Sequence, residues 1–321
     1  MFGKKQEGIS TNARPQGSPS SENTRILAVI AQDYLKERKS RRRWSLFFKL
    51  LVLVYLSALL VIYVSDSEKG VTANHTAVVE IDGIIGPGEV SALEINKSIK
   101  SAFEANSSRA VILMINSPGG TPVQAAMINE EIIRLKALYP EKPVYAAISD
   151  MCASGGYYIA VAADYIYAHP SSIVGSIGVL MNGFGFVETM KKIGVERRLL
   201  TAGKNKSMLD PFSPVNFSQQ HHAKKMLDDV HQQFITAVKT GRGERISDDP
   251  DIYSGLFWSG EKAKELGLVD EFGSAQFIAR EVVGEKKMVD YTIRPRFIDA
   301  FAEELGASIS NTFFKINMSM Q

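Results

Sequence analysis

Two short, unbroken apolar runs restrict the fold more than any other feature of the chain: Ala110-Val111-Ile112-Leu113-Met114-Ile115 and Val144-Tyr145-Ala146-Ala147-Ile148. A strand with one wet face alternates apolar and polar residues, so a run with no polar position reads as a strand covered on both faces. Helical patterns surround these runs. Val90, Leu93, Ile95, Ile99 and Phe103 recur near helical spacing over 90–103, and Val123, Ala126, Met127, Ile133 and Leu135 do so over 122–138. Ala77 to Ile81 reads as a first strand. Strand–helix–strand–helix–strand in this order predicts an α/β domain built on a parallel sheet with right-handed crossovers. Further strands are expected at Tyr165–Ala168, Ile173–Leu180 and Val195–Leu200, a polar loop over 201–215, and helices at Ser218–Lys239, Glu261–Leu266 and Ala275–Val283. The domain is expected to cover 77–295, with 296–321 a partly helical tail.

The N-terminal part has a different character. Residues 1–24 are rich in Gly, Ser, Pro, Asn and Gln, a composition that does not support a packed core. Residues 25–39 have the makings of a basic surface helix. Lys36, Arg38, Lys39, Arg41, Arg42 and Arg43 then precede Leu46 to Val64, an almost unbroken apolar run with Lys49 near its start. At about 1.5 Å per residue this run covers roughly 28 Å, near the thickness of a bilayer core. Trp44 and Tyr63 stand where interfacial rings belong, and the basic flank marks the cytoplasmic side. The run is too long for a signal-peptide core, and Val64-Ser65-Asp66 is no small-x-small cleavage site. The reading is an uncleaved signal anchor in the inner membrane, in contact with lipid. Residues 1–45 are then cytoplasmic, 46–64 span the membrane, 65–76 form a linker, and the folded domain lies outside the cytoplasm. The overall charge of +2 gives no argument for nucleic-acid binding.

Chemistry concentrates after the second apolar run, in Asp150-Met151-Cys152-Ala153-Ser154-Gly155-Gly156. Ser154 sits where strand turns to helix, among the unpaired N–H donors of a helix start. Ser154 is there either as a nucleophile whose oxyanion backbone donors receive or as a plain N-cap. Asn116-Ser117-Pro118-Gly119-Gly120 follows the first run, so its paired glycines fall at the carboxyl end of a strand, the usual ligand crevice. They offer oxyanion donors or simply a tight turn. Cys152 is the lone cysteine and reads as a small packed hydrophobe rather than a nucleophile. A serine needs a base, and no histidine has a suitable setting: His75 falls in the linker, His169 near a turn, and His221, His222 and His231 in a polar helix. Lysine is the other choice, with Lys204 and Lys206 both in the polar loop. Bringing a lysine from about 10.4 to near 7 takes about 4 to 5 kcal/mol of desolvation or repulsion.

Asn116-Ser117-Pro118-Gly119-Gly120, Ala153-Ser154-Gly155-Gly156-Tyr157 and Val174-Gly175-Ser176-Ile177-Gly178-Val179, in this order, resemble the bacterial signal peptide peptidase A family over about Val78 to Val283. The resemblance implies a Clp protease/crotonase-like fold and a Ser–Lys dyad, with Ser154 the nucleophile. The family's base lies in a Gly-x-x-Lys loop, which Gly203 and Lys206 match, so Lys206 takes that role over Lys204. Ser176 matches a serine that orients the lysine amine. Gly119, Gly120 and Gly155 become the oxyanion-hole candidates. Thr121 stands where the family often has a third glycine. The chain resembles the short, single-repeat form, which implies a homo-oligomeric ring whose active sites are shared, with Lys206 of one protomer serving Ser154 of its neighbour. Expected substrates are peptides, in particular signal peptides left in the membrane after their release from preproteins. No cofactor and no metal is expected: the sequence has no clustered His, Cys, Asp or Glu ligands and no phosphate-binding Gly-x-x-x-x-Gly-Lys loop. Two rivals share the fold: a crotonase-like acyl-CoA enzyme, disfavoured by the anchor and the serine at the turn, and a non-catalytic membrane scaffold, disfavoured by the intact Ser154 and Lys206.

Overall fold

The computed structural model describes residues 26, 29, 30, 44–58 and 73–294. The chain divides into two compact units, Met1–Gly70 and Val71–Gln321. In the first, residues 44–58 form helix α1. Among the described residues no helix is long and apolar enough to cross a membrane. Helix α1 covers 46–58 of the expected span, and residues 59–64 of it lie outside the described residues, as do the expected segments 1–24 and 296–321.

The second unit runs β1 (His75–Asp82), α2 (Ala92–Glu104), β2 (Ser108–Ser117), α3 (Pro122–Leu138), β3 (Val144–Ala153), α4 (Gly155–Ala160), β4 (Tyr165–Ala168) and β5 (Ile173–Gly175). It continues through α5 (Val187–Lys192), α6 (Phe217–Arg242), β6 (Phe257–Ser259), α7 (Gly260–Glu265), β7 (Glu271–Phe272), α8 (Ala275–Phe277) and β8 (Met288–Asp290). The strands form one sheet in the order β6-β5-β3-β2-β1-β8, with β4 branching from β3 to pair β7. All pairings are parallel except β5 with β6. This is the expected α/β sheet, and its central strands are β2 and β3.

The apolar runs are buried on both faces, as their lack of alternation predicts. Val111, Leu113 and Ile115 join Val144, Ala146 and Ile148 in a core with Ile99, Ile128, Ile132 and Tyr157 from the helices. Ala110, Ile112, Tyr145 and Ala147 face the other way, onto Ile278 and Ala279. His75, placed by sequence in the linker, opens β1: it is buried, stacks on Tyr291 and shares a 2.9 Å hydrogen bond with the Tyr291 hydroxyl.

Two expected strands differ. The one over Ile173–Leu180 stops at Gly175, because Ser176 turns to φ 53° and donates its N–H to the Leu256 carbonyl at 2.7 Å. Residues 195–200 join no sheet and are exposed. Three strands, β6, β7 and β8, went unanticipated because each has at most three residues, too short for a periodic signal.

Candidate active site

β2 and β3 are parallel neighbours, with Ser117 level with Cys152. Their carboxyl ends therefore bring Gly119-Gly120 beside Ser154. Ser154 is the single residue between β3 and α4, at φ 50° and ψ −119°, a conformation that costs a non-glycine residue about 1–3 kcal/mol. A strained strand-to-helix turn of this kind lifts a serine Oγ clear of the sheet. The turn is held by the Ser154 N–H donating to the Gly175 carbonyl at 2.9 Å and by the Tyr158 N–H donating to the Ser154 carbonyl at 2.9 Å. The Ser154 side chain makes no capping hydrogen bond, so the N-cap alternative does not account for it. Ser154 instead lines a cavity of about 890 Å³.

The glycines are fixed by close approach. A Cβ on Gly119, at φ 107°, would stand 2.7 Å from Ser154 Cβ and 2.9 Å from the Gly155 nitrogen. A Cβ on Gly120 would stand 1.9 Å from the Ile85 carbonyl oxygen. Ile85 grips this turn from both sides: its N–H donates to the Gly119 carbonyl and its carbonyl accepts the Thr121 N–H, each at 2.8 Å. The Gly119 N–H donates to Ser117 Oγ at 3.2 Å. The N–H groups of Gly120 and Gly155 find no acceptor among the described residues, and both glycines line the cavity with Ser154. A Cβ on Gly155 would lie 3.2 Å from the Gly120 nitrogen. Two free donors thus stand together next to the serine.

Ser176 lines the same cavity. Its turn is set by β6, whose Trp258 ring would be 2.9 Å from any Cβ on Gly175. The structure therefore brings together Ser154, Ser176, Gly119, Gly120 and Gly155. Lys206 is not among the residues lining the cavity; it is exposed in the 201–215 loop, its N–H bonded to the Gly203 carbonyl at 3.1 Å, and Lys204 is exposed beside it. None of the five histidines lines the cavity. His231 Nε2 donates to the carbonyl of Ile177 at 3.1 Å, between the lining residues Ser176 and Gly178. Cys152 is buried, and burial pushes its thiol far above the ordinary range, so it is no thiolate nucleophile. Among the described residues no cluster of His, Cys, Asp and Glu of metal-binding size occurs.

One wall of the cavity was misread in sequence. The core face of α3 is Ala125, Ile128, Asn129, Ile132 and Leu135. Val123, Ala126 and Met127 line the cavity instead, together with Glu130, Tyr158 and Phe234. Val123, Ala126, Met127 and Glu130 follow i, i+3, i+4, i+7 spacing, a second helix face alongside the core face. That spacing is present in the sequence, but both faces begin apolar and only packing tells them apart.

Residues 136–288, which contain Ser154, Ser176 and Lys206, match peptidase family S49. The chain is 33% identical to a putative protease of Methanocaldococcus jannaschii, over 65% of this chain and 68% of that protein. It is 30% identical to a putative signal peptide peptidase SppA of Enterococcus faecium, over 61% of this chain and 56% of the relative. It is 47% identical over 188 residues, 59% of this chain, to a protein of Brucella abortus named Na(+)/H(+) antiporter NhaA. The chain spans only 25% of that relative's length.

Proposed function

The chain belongs to peptidase family S49, and from that premise we propose that it is a serine endopeptidase acting through a Ser154–Lys206 dyad on a Clp protease/crotonase-like fold. The observation that carries this reading is Ser154 itself: strained, uncapped, and flanked by the free N–H groups of Gly120 and Gly155. Ser154 Oγ attacks the peptide carbonyl as Lys206 takes its proton. The oxyanion forms where Gly120 and Gly155 donate, and their stabilisation there is catalytic because it meets charge that develops only in the transition state. The protonated Lys206 then gives its proton to the leaving amine. Water, deprotonated by the same amine, hydrolyses the acyl-Ser154 ester. Gly119 serves by having no side chain, since its N–H is already taken by Ser117.

Lys206 lies outside its own chain's cavity lining, which supports a base delivered by a neighbouring protomer in a homo-oligomer. The stretch from 179 to 216 supports the same reading. It exposes Leu180, Phe184, Ile193, Leu200 and Val215, more apolar surface than solvent-facing segments ordinarily show, and helix α5 within it buries no residue. We also propose the substrates to be signal peptides remaining in the membrane, on the name of the Enterococcus relative and the apolar cavity wall. The domain would be held outside the cytoplasm by an anchor at 46–64. Support for the anchor is the apolar run and its basic flank in the sequence.

Turnover of a fluorogenic peptide by full-length variants tests the dyad. Lys206→Ala should lower kcat by at least about 10³-fold, and Lys204→Ala should stay within about threefold of the parent. A dead Lys204→Ala beside an active Lys206→Ala would assign the base to the wrong lysine.

A further inference from the structure

The cavity that holds Ser154 does not end in apolar side chains. Along α3 its wall passes from Val123 through Ala126 and Met127 to Glu130, a rise of about 10 Å from first to last at the helical pitch. Glu130 is exposed and has no ion-pair partner among the described residues. Beyond it, Glu130, Tyr158 and Gln233 also line a second cavity of about 850 Å³, which lies between α3 and α6. These three residues are common to the linings of both cavities.

The charges lining the second cavity are unequal. Its bases are already satisfied by the protein. Lys136 pairs with Asp164 at 2.7 Å and donates to the Ala162 carbonyl at 2.9 Å. Arg245 donates to the carbonyls of Asp164 and Gly241 and pairs with Asp270 at 3.1 Å. Glu130, and Asp229 further along, keep unneutralised carboxylates. Glu130 is felt nearby: burial, and after it the Glu130 charge, pushes the Tyr158 phenol up.

We infer that Glu130 is a specificity-determining residue, which takes a lysine or arginine of the bound peptide at the far end of the Ser154 cavity. This rests on Ser154 being the peptide-cleaving residue. A basic side chain suits the wall because its methylene stem can lie on Met127 and on the Tyr158–Phe234 pair, whose rings are 4.9 Å apart, while its cation reaches the carboxylate.

The test uses the full chain carrying Ser154→Ala, which binds without cutting, and fluorescent peptides with Lys, Gln or Glu at each of the four positions on either side of the scissile bond. Anisotropy should show one position where Lys binds about fivefold more tightly than Glu, a modest ratio because the carboxylate is exposed. Glu130→Gln should remove that preference and Glu130→Lys should reverse it. A Lys-to-Glu ratio that neither Glu130 variant moves, no preference at any position, or no binding would overturn the inference. The same peptides given to the chain with Ser154 intact separate the two readings. If binding follows Glu130 but no peptide is cut, the hydrolytic reading falls while the role of Glu130 stands.

Discussion

Ser154 holds a backbone conformation that favours glycine and strains every other residue. Its energetic and chemical roles can therefore be separated. Ser154→Gly and Ser154→Ala should be equally inactive, yet Ser154→Gly should be the more stable of the two by about 1 kcal/mol. Urea unfolding of both variants checks this; an equal or lower midpoint for Ser154→Gly would mean the turn carries no strain. The serine at the strand-to-helix turn was legible in the sequence because a strand run, a serine and paired glycines are local features. Its freedom from capping was not, since the choice between cap and nucleophile depends on where one hydroxyl points. The glycines proposed as oxyanion donors were legible only as a set. The structure distinguishes among them through Ser117, whose hydroxyl occupies the Gly119 N–H and leaves those of Gly120 and Gly155 open.

At the scale of elements, the last part of the sheet is locked to the long helix by charge. Arg242, buried near the end of α6, meets Asp270 with Nη2 at 2.7 Å and Nη1 at 2.9 Å, and Asp270 also accepts the Ile166 N–H at the start of β4 at 2.6 Å. Burial alone would raise the Asp270 carboxyl, but the hydrogen bonds and charge of Arg242, with Ile166 and Arg245, outweigh it and hold the group below its ordinary value. A carboxylate with a depressed folded pKa contributes stability above its unfolded pKa of about 3.9, and that contribution is lost as pH falls through the folded value. The melting temperature should therefore drop as pH falls below about 4. Asp270→Asn should lower it at pH 7 and flatten that acid limb; an acid limb of unchanged slope would place the dependence on other carboxylates. Of the elements, β2, β3 and α3 were readable because long apolar runs and helical spacing are sequence-local. The strand expected to reach Leu180 was overestimated because what ends it at Gly175 is a contact with Leu256, distant in the chain.

For the whole molecule, the proposed base lies on a stretch that a single chain leaves exposed. A ring that shares its dyad has a clear signature. Mixing inactive Ser154→Ala chains with inactive Lys206→Ala chains, under conditions where protomers exchange, should restore peptide turnover, because some interfaces pair an intact serine with an intact lysine. No recovery despite proven exchange would place both residues within one protomer. The sequence could not supply this arrangement from spacing or composition, since nothing local distinguishes an exposed lysine that serves a neighbour from one that faces water. The central claim, that the strained serine is the reacting atom's carrier, is tested most directly by exposing the full chain to a fluorophosphonate, in which an activated serine Oγ displaces fluoride from phosphorus, and mapping the adduct by mass spectrometry. One adduct per chain is expected on Ser154, absent from Ser154→Ala and slowed in Lys206→Ala. An adduct on another residue, or peptide cleavage that survives Ser154→Ala, would contradict it.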